Sequence, residues 1–260
     1  MHGSGLTLKV ALIKLVGIEM TNRTAETSPL IVARVAGILY LLLVVFGVFS
    51  FFYVSSSLIV PGDAAATANN IMANELLFRS GIVSWLLGQT VFIMLVLVLY
   101  KLLKIVNKNA ALLMVIFALV SVPIAFINEL NQFAAVLLLS GADYWTVFTA
   151  DQLHAQVMFF LDLHTAGFSI ASIFWGLWLL PFGYLVYKSG FLPKILGILL
   201  IIGFLGFLID FFVFFLFPNF RATIEPVLQI TSIGEILIAL WLLIKGVNVK
   251  QWEKRALESA

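Results

Sequence analysis

The sequence predicts an all-α fold, a polytopic transmembrane helical bundle of six spans with both termini cytoplasmic, and three observations predict it. Hydrophobic residues make up 62% of the chain and charged residues 11%, whereas soluble domains carry about 25% charged residues. Several apolar runs reach the 18 or more residues that a helix needs to cross a bilayer. The basic residues also collect in alternate connections, as they do in cytoplasmic loops. A transmembrane barrel is excluded because short segments of alternating polarity are missing. A formal net charge of +2 gives no reason to expect a nucleic-acid partner, and the chain contains no cysteine, which excludes disulfides, thiolate metal sites and a cysteine nucleophile.

Taken in order, residues 1–30 read as an N-terminal extension. Leu6 to Ile18 is apolar but too short to span and is interrupted by Lys9 and Lys14, so it is either an interfacial helix or an upstream extension of a chain whose natural start is Met20. Residues 31–247 form the membrane domain and residues 248–260 a basic cytoplasmic tail. The first span is expected over about Ile31 to Leu58, stopped by Pro61, Gly62 and Asp63. Asp63 then caps a short helix too rich in Asn and Glu to enter lipid. Spans two and three follow over about Gly81 to Leu103 and Ala110 to Leu139, the third containing Pro123 and the polar insert Asn128 to Gln132.

Thr149 and Gln152 form a capping-box pattern that starts a helix near Ala150 and carries it towards Tyr187. At 1.5 Å per residue this helix is roughly 55 Å long, so its first part stands outside the bilayer or bends, with Gly167 as the expected bend and about Thr165 to Tyr187 as the fourth span. The fifth span is expected over about Ile195 to Phe217, a loop over 218–226, and the sixth over about Val227 to Ile244. Residues 60–80 and 140–164 then form external caps. Arg34, Lys101, Lys104, Lys108, Lys188, Lys194, Lys245, Lys250, Lys254 and Arg255 fall on the cytoplasmic side, with Arg79 and Arg221 opposite. No internal repeat is visible, so the inverted-repeat pattern of many transporters is unsupported.

Several stretches resemble one bacterial family. They are Ala33 to Leu42 (ARVAGILYLL), the Asn128-Glu129-Leu130 insert, Asp162-Leu163-His164, and Gly176 to Gly190 (GLWLLPFGYLVYKSG) followed by Phe191-Leu192-Pro193. Together they are similar to domain-of-unknown-function family 4386, over nearly everything after about Pro29. The resemblance implies a polytopic protein of the bacterial cytoplasmic membrane, favours Met20 as the start and transfers no catalytic residue.

Polar residues inside spans cost roughly 3 kcal/mol or more at mid-depth and therefore mark candidate sites. Counted from the cytoplasmic ends, Glu129 lies roughly 30 Å and His164 roughly 35 Å up their spans, Asp210 roughly 24 Å, Gln89 roughly 18 Å and Glu235 roughly 15 Å. These five residues suggest an outward-facing polar cavity with Glu235 at its floor, held protonated, hydrogen-bonded to Gln89 or open to water. The expected function is to bind or pass a small molecule or ion through that cavity, or to serve as an accessory subunit of a membrane-protein partner. No cofactor is expected on this reading.

The alternative is a metal-assisted hydrolase acting on a lipid, with zinc held by Asp162, His164 and Glu129. Helical geometry counts against it, because residues two apart point to nearly opposite faces. Ser169, Ser172 and Gly176 read as a helix-packing face, and Trp175 and Trp178 as core.

Overall fold

The computed structural model describes residues 28–259 and is built from helices. The expectations for residues 1–27 lie outside the described residues. Helix α1 (Pro29–Gly47) continues through a π-helical stretch, Val48–Ser55, and a last turn, Ser56–Leu58. Next come α2 (Ala64–Ala73), α3 (Glu75–Leu103), α4 (Lys108–Leu138) and α5 (Ala150–Ser189). The chain closes with α6 (Lys194–Leu216), α7 (Arg221–Thr231), α8 (Ile233–Ile244) and α9 (Val249–Glu258). Six segments are long and apolar enough to cross a membrane: residues 29–58, α3, α4, α5, α6 and 226–244. The protein is a multi-pass helical membrane protein.

Local chemistry sets the helix boundaries. Asp63 Oδ1 accepts from Ala66 N at 2.8 Å and starts α2, and Asn107 Oδ1 accepts from Ala110 N at 3.0 Å and starts α4. Both halves of the capping box form at α5, where Gln152 N donates to Thr149 Oγ1 at 3.3 Å and Thr149 N donates to Gln152 Oε1 at 2.9 Å. These bonds satisfy amides that a helix start otherwise leaves open. Gly190 ends α5 at φ +77°, a conformation that glycine adopts without steric cost. Helix α5 runs as one continuous helix through Gly167. The 40 residues of α5 extend about 60 Å at 1.5 Å each, and the excess length is used at one end, where α2 packs against α5.

The loop expected over 218–226 is also corrected, because α7 begins at Arg221 and contains Pro226. Proline removes one amide donor there, yet the helix persists. The break falls later, at Ser232, and splits the last span between α7 and α8.

Neighbouring helices follow the order α1, α3, α4, α5, α6, α8 and back to α1. Helix α5 has most of its apolar stretch enclosed, while α1, α6 and the last span expose most of theirs. In lipid, exposed apolar surface gives little drive to associate, so close packing and interhelical hydrogen bonds hold such helices together. Small residues mark the closest approaches. A Cβ on Gly183 would lie 2.7 Å from the Gly197 carbonyl oxygen, one on Gly197 2.6 Å from that of Gly183, and one on Gly234 2.8 Å from the Leu199 backbone. The turn after α8 folds under the bundle: Asn248 N donates to Phe191 O at 3.1 Å, and Trp252 Nε1 of α9 donates to Leu102 O at 3.0 Å. The start of α1 and the end of α8 therefore share one end, with the α2 cap at the other.

Aromatic rings fill the middle of the bundle. Phe51 packs edge-on against Trp85 and Phe168 with centroids 4.8 and 4.7 Å away, and Trp175 lies 4.7 Å from Phe168. Further along, Trp178 meets Phe92 at 5.0 Å and Phe182 at 5.2 Å. These are preferred ring distances. Trp175 and Trp178 are core residues, as expected.

Candidate functional site at the α4–α5 contact

Two apolar clusters meet along α4 and α5. The larger contains Ala125, Phe168 and Trp175, and the smaller, beneath the α2 cap, contains Ala135, Val157 and Leu161. Between them lies a polar layer of Asn128, Glu129, Gln132 and His164. On α4, Asn128 and Gln132 are four residues apart and Glu129 and Gln132 three apart, so all share one helix face. That face meets α5 at His164, where Glu129 is 3% exposed and His164 7%.

Glu129 Oε1 and His164 Nε2 are 3.0 Å apart, and Gln132 Nε2 lies 3.1 Å from the same histidine nitrogen. A protonated Nε2 donates to Glu129 and requires Gln132 to present its carbonyl oxygen. An unprotonated Nε2 has one lone pair, which accepts either from the Gln132 amide or from a proton on Glu129. The amide orientation and the proton position are thus linked.

Asn128 Nδ2 donates to the His164 backbone carbonyl at 2.8 Å, and Asn131 Nδ2 donates to Asn128 Oδ1 at 3.0 Å. Gly167 makes this seat, because a Cβ there would fall on the Asn128 amide group. Glu129 Oε2 is buried without a hydrogen-bond partner. Among the described residues no lysine or arginine forms an ion pair with Glu129; its charge partner is His164.

The structure distributes the other expected site residues. Glu235 accepts from the Tyr40 hydroxyl at 2.7 Å across the α1–α8 contact; the expected partner, Gln89, is on α3. Gln89 is buried between Trp85 and Phe92 on one face of that helix, and its Oε1 has no partner. Asp210 lines a separate cavity with Arg221. Thus Glu129 and His164 meet, while Gln89, Asp210 and Glu235 belong to other contacts. The metal set is not assembled either, because Asp162 is exposed while His164 is buried two residues along α5. Among the described residues no group of three or more His, Cys, Asp and Glu side chains is arranged to hold a metal ion.

Beyond the expected residues, the structure brings in Asn128, Gln132, Tyr40 and Gly167. Gln132 had a visible signal in its three-residue spacing from Glu129. Tyr40 had one in depth: it lies about 16 Å from the start of α1, and Glu235 about 14 Å from the end of α8. Gly167 had none, because its role depends on which residue of α4 faces it.

The family model described as "Domain of unknown function (DUF4386)" matches residues 35–246. The chain belongs to this family. A relative from Archaeoglobus fulgidus, described as "Uncharacterized protein", is 31% identical over 155 residues, which cover 59% of this chain and 75% of the relative. No solved structure matches the DUF4386 chain.

Proposed function

We propose that the protein binds a small cation at the Glu129–His164 pair, from the side of the membrane that carries the α2 cap, in exchange for the proton the pair otherwise shares. One observation carries this reading: a carboxylate 3% exposed has a histidine as its charge partner and an oxygen with no hydrogen bond. An uncompensated charge at such a site is expensive. A proton shared by the pair supplies one compensation. A cation held by Glu129, the carbonyl oxygen of a reoriented Gln132 and His164 supplies another.

Binding is favoured over passage because the aromatic column fills the centre of the bundle. The orientation rests on charge. Lys101, Lys104, Lys188, Lys194, Lys245 and the basic residues of α9 lie at the end where the described chain starts and finishes, which favours a cytoplasmic position for it. In a bacterial inner membrane the cap then faces outward. A membrane-protein partner remains compatible with this reading, and the zinc hydrolase loses ground because Asp162 does not reach the pair.

The test is proton release. Sodium, potassium or methylammonium chloride is added to lightly buffered purified protein in detergent and the change in pH is recorded. At least one salt should release close to one proton per chain, and Glu129→Gln should abolish the release. No release with any of the three, or undiminished release from the variant, contradicts the proposal.

A further inference from the structure

A second polar pocket lies near the end of α6. Helices α6 and α7 and the break before α8 border an open cleft of about 180 Å³, lined by Asp210, Arg221, Gln229, Thr231 and Ser232, with Phe168 as an apolar wall. Gly206 makes room for it, because a Cβ there would collide with the Thr231 side chain. The guanidinium of Arg221 is 4.5 Å from the centre of the Phe214 ring, and its buried Nε has no hydrogen-bond partner. An aromatic face orients such a cation and leaves its N–H groups directed elsewhere. Among the described residues, Asp210 and Arg221 bring an acid and a base to the lining, which suits a ligand carrying both charges.

The surroundings identify the source of that ligand. Phe217, Phe220, Val227 and Ile230 near the cavity are large, apolar and exposed. Asp210 is six residues before the end of α6, about 9 Å along the axis, whereas Arg221 follows that end. A ligand reaching these residues from the bilayer passes apolar side chains, which suits acyl chains. The volume, below the roughly 300 Å³ at which drug-sized sites begin, accepts a headgroup and not a whole lipid.

We propose that this cavity binds the headgroup of an aminophospholipid, with the phosphate at Arg221, the primary ammonium directed to Asp210, and the acyl chains over Val227 and Ile230. A planar guanidinium suits phosphate, and a primary ammonium brings three N–H donors that a trimethylammonium lacks. The site is separate from Glu129 and His164, and its readout is bound lipid, so it stands or falls independently of the proton-release result.

The test is native mass spectrometry of the full chain, delipidated and then offered equal amounts of dioleoyl phosphatidylethanolamine, phosphatidylglycerol and phosphatidylcholine. Phosphatidylethanolamine should be retained at least fivefold over the other two. Asp210→Asn should remove that preference, and Arg221→Gln should lower retention of all three. Equal retention of the three lipids by the unaltered protein overturns the proposal without relying on any variant. Unchanged preference in Asp210→Asn also overturns it. Free phosphoethanolamine should not displace the lipid at equal concentration; displacement would overturn the assignment to a lipid.

Discussion

Glu129 and Glu235 are both acids inside spans, yet they are held very differently. Glu129 is enclosed between α4 and α5 with an imidazole, a nearby amide and one unpartnered oxygen. Glu235 is half-buried between α1 and α8 and receives one phenol. Aromatic rings fill the space between these two contacts, including Trp178, which Tyr40 meets at 6.2 Å. Depth alone therefore does not define a cavity. Which helices adjoin decides whether polar groups at similar levels meet, and here it produces separate bridges on different helix pairs.

The largest expected effect breaks the first bridge. Glu129→Ala or His164→Ala leaves a polar partner buried in an apolar contact and should destabilise the protein by about 3–5 kcal/mol, read as a lowered unfolding midpoint in detergent. A smaller loss is expected where glycine permits backbone approach: Gly197→Val should cost about 1–3 kcal/mol and, by pushing α6 from α5, lower the midpoint without altering proton release. Tyr40→Phe removes the one hydrogen bond to Glu235 and should cost about 0.6–2 kcal/mol. A loss as large as that at Glu129 would erase the contrast between the two acids. The smallest effect belongs to Asp162→Ala, within about 0.5 kcal/mol and with unchanged proton release; a loss of release there would return Asp162 to the site.

Much of the fold was legible because its signals are local. Apolar runs give the spans, and Asp63 and the Thr149–Gln152 pair announce helix starts by side-chain chemistry alone. The region after Pro218 was misread because proline and polar residues resemble a loop, whereas the chain continues as α7 and breaks at Ser232. In the site, the comparable depths of Glu129 and His164 were readable by counting turns, and their neighbouring spans brought them together. The partner of Glu235 was not readable in the same way. It depends on α8 closing back onto α1, where a Cβ on Gly37 would lie 2.7 Å from the Leu243 Cα. Residues so far apart in the chain leave no periodic signal of their adjacency.

The central claim is that Glu129 and His164 form a binding site and are more than a tether between two helices. The most direct measurement uses Glu129→Leu/His164→Leu, because replacing a buried charged pair with apolar side chains of similar size is often neutral or stabilising. The account predicts that this double variant unfolds at or above the midpoint of the unaltered protein and releases no proton when sodium, potassium or methylammonium is added. Proton release equal to that of the unaltered protein from the stably folded double variant would contradict it.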